Sequence, residues 1–185
     1  GELEELSSSQ RAGLSSFIGE LLALDPMQAQ ERWLELFERG RAMSLLLFEH
    51  IHGESRDRGQ AMVDLVETYR KNGLELAAKQ LPDYLPLVLE YLSMRPEAEV
   101  QDWLKHIGHI LELLAARAQE RESAYAVLFT TLVEIAQGKV DLAMMRRRVS
   151  GEARDDTPEA MDKVWEEEVV RFGAEAPAEN CDPPN

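Results

Sequence analysis

At 185 residues the chain has the length of one domain, enough to bury a sizeable core. Apolar residues make up 44% and charged residues 30%, the balance of a folded globular chain rather than a disordered one. Against 20 Lys and Arg stand 35 Asp and Glu, a formal charge of −15; this argues against nucleic acid, which needs a basic face, and suits either a basic amphipathic peptide or plain solubility.

The elements, taken in chain order, are nearly all helical. Residues 3–24 carry Leu3, Leu6, Leu14, Phe17, Ile18, Leu21 and Leu22 at three- and four-residue steps. Asp25-Pro26-Met27-Gln28 reads as a helix start, with Asp as cap, Pro at the first position and Gln in capping-box place. Trp33, Leu34 and Phe37 form the buried stripe of that helix, and Gly40 ends it. Residues 38–56 are ambiguous between a short helix at 44–52 and an irregular crossover. Asp57 offers the next cap, followed by Met62, Leu65, Val66 and Tyr69 on one face and by Asn72-Gly73 as a stop. Asp83 opens a further helix as its N-cap, with Pro86 tolerated in the first turn.

The cleanest amphipathic stripe is Val100, Trp103, Leu104, Ile107, Ile110, Leu111 and Leu114. Another follows in Tyr125, Leu128, Phe129, Leu132, Val133 and Ala136, then a short helix at 140–149. Thr157-Pro158 caps a last one to about Phe172, with Met161, Trp165 and Phe172 inward. No strand alternation persists. The expected fold is all-α, a single-domain helical bundle of about seven helices over 1–172 with a disordered acidic and Pro-rich tail at 173–185. From Glu152 onward 11 acids face 3 bases, so more than half of the net charge lies at one end.

The only cysteine, Cys181, excludes an intrachain disulfide and fits a reducing compartment. No apolar run has bilayer length, and no signal peptide is visible, so the expectation is a cytoplasmic protein without direct membrane insertion. Catalytic and metal signals are weak throughout. His50 and His52 lie two apart outside any convincing strand; His106 and His109 share a helix face but lack a third ligand. No Gly-rich loop follows a strand, and no Ser, His and acid fall in a recognised spacing. Arg146-Arg147-Arg148 reads as cations at a helix C-terminus. Ser55, Arg56 and Arg58 form a short basic loop, suited to pairing with neighbouring glutamates or to touching a phosphate. The expectation is therefore no catalytic residue, no metal and no stably bound cofactor.

The helix from Asp83 is different. Asp83, Leu87, Glu90 and Met94 fall at i, i+4, i+7 and i+11 and line one face, flanked by Tyr84 and Tyr91, while Leu85, Leu89 and Leu92 turn to the core. Two acids, two tyrosines, Leu and Met make a poor pure core and a good wall for a peptide groove. Equally, Asp83 can be only a cap and Glu90 only a salt-bridge partner.

Two segments, FERGRAMSLLLFEHIHGESRDRGQAMVDLVETY at 37–69 and LPDYLPLVLEYLS at 81–93, together resemble the NarJ-type chaperones that assemble the molybdenum-containing subunit of respiratory nitrate reductase, within the wider TorD-like redox-enzyme maturation proteins. The resemblance continues through DDTPEAMDKVWEEEVVRF at 155–172 and spans about Trp33 to Phe172. It implies a TorD-like bundle without catalytic activity. The bundle would bind the N-terminal segment of the apo nitrate reductase α subunit and promote insertion of bis-molybdopterin guanine dinucleotide before membrane docking. It also tips the 83–94 face toward the groove reading, because TorD-like proteins are similar around the matching Asp and the acid seven residues on. Proteins of this kind usually carry a further apolar segment ahead of the position of Gly1. The implied client-binding residues are Asp83, Tyr84, Leu87, Glu90, Tyr91 and Met94, with Phe48, Glu49, Arg56 and Arg58 alongside. Two alternatives stand beside this: a TorD-like chaperone for a different molybdoenzyme, and a metal- or cofactor-binding helical enzyme.

Overall fold

The computed structural model describes residues 6–53, 55–76, 80–136 and 142–167. Nine helices run through them: α1 (Ser8–Leu22), α2 (Pro26–Phe37), α3 (Leu47–His52), α4 (Asp57–Lys71), α5 (Leu85–Ser93), α6 (Glu97–Glu120), α7 (Ala126–Ile135), α8 (Leu142–Val149) and α9 (Pro158–Glu167). The all-α class is as expected; the described residues hold nine helices against about seven expected, the six-residue α3 coming from the stretch the sequence left ambiguous and α8 from the short helix expected at 140–149. The ambiguous 38–56 stretch resolves into both readings, an irregular crossover and then α3. The expected tail at 173–185, with Glu54, Val140 and Phe172, lies outside the described residues.

The long helix α6 is the axis. Its stripe places Leu104, Ile107, Ile110, Leu111 and Leu114 in the core, with Ala115 and Ala118 letting neighbours approach closely. Helices α7, α8, α3 and α5 pack on it, and α1 packs on α7. One end of the core is aromatic: Tyr125 meets Phe17, Trp33 and Phe37 with ring centroids at 5.0, 5.8 and 5.2 Å. Phe37 and Leu36 carry the buried face of α2, whereas Leu34, expected inside, is 51% exposed.

The helix starts follow capping chemistry, with two corrections. Asp25 accepts from the Met27 N–H as expected, and Thr157 Oγ1 accepts from Ala160 N. α1 starts at Ser8, after Leu6 of the expected stripe, and its N-cap Ser7 forms a reciprocal capping box with Gln10, while Leu3 lies outside the described residues. Asp57 is already inside α4; Ser55 Oγ accepts its N–H instead. At the far end of α4 the stop is as expected, Asn72 followed by Gly73 at φ +78°, a conformation that suits glycine.

The crossover is tied down by charge. Asp155 accepts from Ala42 N at 2.6 Å and pairs with Arg121 at 3.1 Å. Arg117 donates to the Ala42 carbonyl at 2.7 Å and pairs with Glu152 at 2.8 Å. The segment 152–156 thus straps residues 40–42 to the C-terminal end of α6. Gly40 lies beneath that strap: a Cβ there would fall 2.5 Å from the Asp155 carboxyl carbon. Its glycine is needed for this approach and not, as expected, to end α2, which stops at Phe37 with Glu38 as C-cap. Because the Asp155 carboxylate is held by two donors, Gly40→Ala is expected to destabilise the fold by about 1–3 kcal/mol. The measurement is the urea midpoint at unchanged m-value; a variant as stable as the parent would place the strap elsewhere.

No helix among the described residues is long and apolar enough to cross a membrane.

Candidate functional site

Asp83 does not cap the helix it precedes. α5 begins at Leu85 with Tyr84 in the N-cap position and no side-chain cap bond. Asp83 lies in an extended pair with the crossover: Leu47 N donates to its carbonyl at 3.0 Å, and Leu85 N donates to Leu45 O at 2.8 Å, flanking an antiparallel bridge between Leu46 and Tyr84. This pairing aims the carboxylate at α3, where Oδ2 accepts from Phe48 N at 3.0 Å. α3 has only Leu46 in its N-cap position, so no local side chain satisfies its first N–H groups. A carboxylate from across the fold takes that role, on the helix end where negative charge is favoured.

The cost of the arrangement is burial. Asp83 is 0% exposed, and its Oδ1 has no hydrogen-bond partner among the described residues. Burial pushes its pKa up; the Phe48 N–H and the charge of Arg58 pull it down, and Glu49 opposes them. The sequence expectation that Asp83 shares an open face with Leu87, Glu90 and Met94 is therefore corrected: the chain turns between residues 83 and 85, and the helical spacing does not reach back across it.

The other three residues of that face stay together. Leu87, Glu90 and Met94 line a slot of about 110 Å³ whose remaining walls are Tyr69, Tyr91, Leu74, Glu75 and Leu76. Met94 is 54% exposed and Glu90 lies in solvent. Tyr91 is the floor rather than a flanking anchor with a free tip. It is 2% exposed and packs against Tyr69, the rings tilted by 55° with centroids 5.0 Å apart. Its hydroxyl donates to Glu99 at 2.8 Å and accepts from Asn72 Nδ2 at 3.1 Å. Arg95 pairs with Glu99 at 3.0 Å and lies over the Tyr91 ring. Burial first, then the bond to Glu99, raises the Tyr91 pKa, and that same bond is the main reason Glu99 sits below the usual carboxylate range.

The remaining predicted residues sit around α3 and the starts of α4 and α5. Phe48 is half-buried, its ring against His52 at 5.5 Å. Glu49 pairs with Arg58 at 3.5 Å, so the loop cation serves the intramolecular network weighed above. Arg56 is exposed in the N-cap position of α4. Tyr84 is half-buried, its pKa raised by burial and then by Glu38. The ten residues thus fall into two neighbouring groups, the α5 slot and the α3 end, with Asp83 between them.

Sequence reasoning missed Glu75, Leu74 and Leu76, which follow a helix stop and carry no period. Tyr69 was legible as a core residue of α4 but not as slot floor. His50 Nε2 donates to Ser44 O at 2.8 Å, His106 Nδ1 donates to Asp102 O at 2.6 Å, and no group of three potential metal ligands occurs among the described residues.

The model of the family "Nitrate reductase delta subunit" matches residues 3–131. The chain is 52% identical over 172 residues to the nitrate reductase molybdenum cofactor assembly chaperone NarJ of Escherichia coli K12, covering 93% of this chain and 73% of that protein. It is 47% identical over 169 residues to the probable assembly chaperone NarW of the same organism, covering 91% and 73%. With the probable NarJ of Bacillus subtilis it shares 30% identity over 133 residues, covering 71% and 72%.

Proposed function

This chain belongs to the nitrate reductase delta subunit family, and from that premise we propose that its client is the apo nitrate reductase α subunit, bound through that subunit's N-terminal segment. Its role is that of a system-specific assembly chaperone rather than an enzyme, in keeping with the names its relatives carry. The chaperone would hold the client in the cytoplasm, off the membrane, until bis-molybdopterin guanine dinucleotide has been inserted, keeping no stable cofactor of its own.

One observation carries the choice of binding face. The α5 slot combines apolar walls with two carboxylates, Glu75 and Glu90, at its edge, on a chain of formal charge −15. An amphipathic client helix would lay its apolar side against Leu87 and Met94 and turn its cations to the acids. Phe48, Glu49, Arg56 and Arg58 would extend the contact past Asp83, Arg58 holding Glu49 in place and Arg56 standing exposed beside them.

The test is calorimetric titration of the full chain with a synthetic peptide of the α subunit N-terminal segment. Binding is expected to weaken between low and moderate salt, because the acids are exposed and screened. It should also show a negative heat-capacity change from apolar burial. A peptide that fails to bind, or binds indifferently to salt and with no heat-capacity change, overturns the reading. A matching titration with the corresponding segment of another molybdoenzyme separates this client from the alternative one.

A further inference from the structure

Resting on that client-binding reading, we propose that the α5 slot takes a single aliphatic or aromatic anchor side chain of the client helix, and that Glu75 and Glu90 together receive a Lys or Arg one helical turn from that anchor. The first half follows from the chemistry of the slot. Its volume, about 110 Å³, is of the size that holds one large apolar side chain or ring, close to that of dry cavities that take up benzene. Its floor offers ring faces and no unused donor: the Tyr69 hydroxyl is spent on Pro82 O at 2.7 Å, and the Tyr91 hydroxyl on Glu99 with Asn72 as donor. A polar anchor would give up its water and find no free donor on that floor. Leu74, Leu76 and Leu87, each partly buried, supply the apolar walls. Met94, unbranched and 54% exposed, is the wall able to adjust to the anchor's shape.

The second half follows from the edge. Glu75 and Glu90 approach the same slot from opposite elements, the segment after α4 and the middle of α5, and neither has an ion-pair partner among the described residues. Residues three or four apart on a helix are neighbours, so a client helix seating its anchor brings the next turn's side chain over this edge. Two carboxylates from two elements fix direction as well as charge: reversing the helix would carry its cation away from one of them. The anchor, being desolvated, dominates affinity; the exposed pair contributes modestly and is screened by salt.

The experiment titrates the full chain with the α subunit N-terminal peptide and with variants replacing each apolar residue by Ala and each Lys or Arg by Gln. One Ala variant is expected to lose about tenfold or more in affinity, and one Gln variant, a turn away, about two- to fivefold at low salt and little at high salt. Against the Glu75→Gln, Glu90→Gln double variant, that same Gln peptide should lose nothing further, since the pair is already broken. Leu87→Trp, which fills the slot from α5, should abolish binding of the parent peptide; its unfolding midpoint reports that the fold persists, and Met94→Trp is the second filling variant should Leu87→Trp misfold. Binding spread evenly over many apolar residues, or slot-filled chains that bind normally, overturns the anchor. A salt dependence unchanged by the double glutamate variant overturns the edge. In each of those cases the peptide still binds, so the client reading stands; loss of binding by the unaltered peptide removes that reading itself.

Discussion

Arg121→Ala is expected to be among the most destabilising single substitutions in the protein, by roughly 3 kcal/mol, because it removes one partner from a buried ion pair. For a domain of this size that is a fall of about 6–12 °C in melting temperature. Arg121 follows the last residue of α6, with a side chain only 10% exposed. It pairs with Asp155 at 3.1 Å and Asp156 at 3.5 Å. Asp156 is itself 5% exposed at its side chain, and Arg154 is its other cation, at 2.7 Å. Without Arg121, one carboxylate is left half-served in a low-dielectric site, and the strap over residues 40–42 loses a tie to the central helix. Arg121→Lys keeps the charge but not the fork that serves two acids, so it should fall between parent and Ala.

The pH dependence fixes the mechanism. The Arg154 hydrogen bond, and then Arg121, hold Asp156 below the usual carboxylate range against the opposing effect of burial. A depressed carboxylate contributes stability that is present above its unfolded pKa, near 3.8, and is lost as pH falls through the folded value. The stability gap between parent and Arg121→Ala should therefore be full at neutral pH and shrink on acidification below about 4. A gap constant across that range would mean that Arg121 acts by packing its stem rather than by charge.

That strap was almost invisible beforehand, and the reason is physical. The α6 and α7 stripes are legible because burial on one side of a helix forces a 3.6-residue period; Leu104, Ile107, Leu111, Leu114, Phe129 and Val133 are all inside. A tertiary ion pair leaves no period. Arg117 and Arg121 look like any exposed i,i+4 cations, and Asp155-Asp156 like the edge of an acidic tail, until the fold brings residues 34 or 35 positions apart together. The same asymmetry runs through the candidate site. Leu87, Glu90 and Met94 share one helix, so spacing alone groups them. Glu75 and Leu76 join them only because the chain after Gly73 folds back, which no local pattern encodes. The Asp83 side chain was expected at the start of its own helix because caps are usually local; here the bridge to Leu46 turns it onto another.

Asp83→Ala is expected to cost about 1–3 kcal/mol, the price of leaving the Phe48 N–H without its acceptor in a site closed to water. Asp83→Asn keeps an oxygen for that N–H and removes the charge, so it should stay near the parent at acidic pH, where Asp83 is itself protonated. The two carboxylate states separate on titration. Burial raises the folded pKa of Asp83 above its ordinary 3.8, so the stability it contributes is complete below that value and is lost as pH rises through the folded one. Relative to the parent, Asp83→Asn should therefore gain as pH climbs out of the acidic range, which unfolding midpoints measured from pH 3 upward will show. Binding then decides what the residue is for. If Asp83 works by holding α3, and with it Phe48 and Glu49, in place, the Asn variant binds the α subunit peptide as the parent does, and the Ala variant binds it more weakly. A carboxylate that reaches the client directly gives the opposite pattern for Asn, lost affinity at unchanged stability. That result would require the 81–85 turn to open on binding, because in the free fold the carboxylate has no exposed surface.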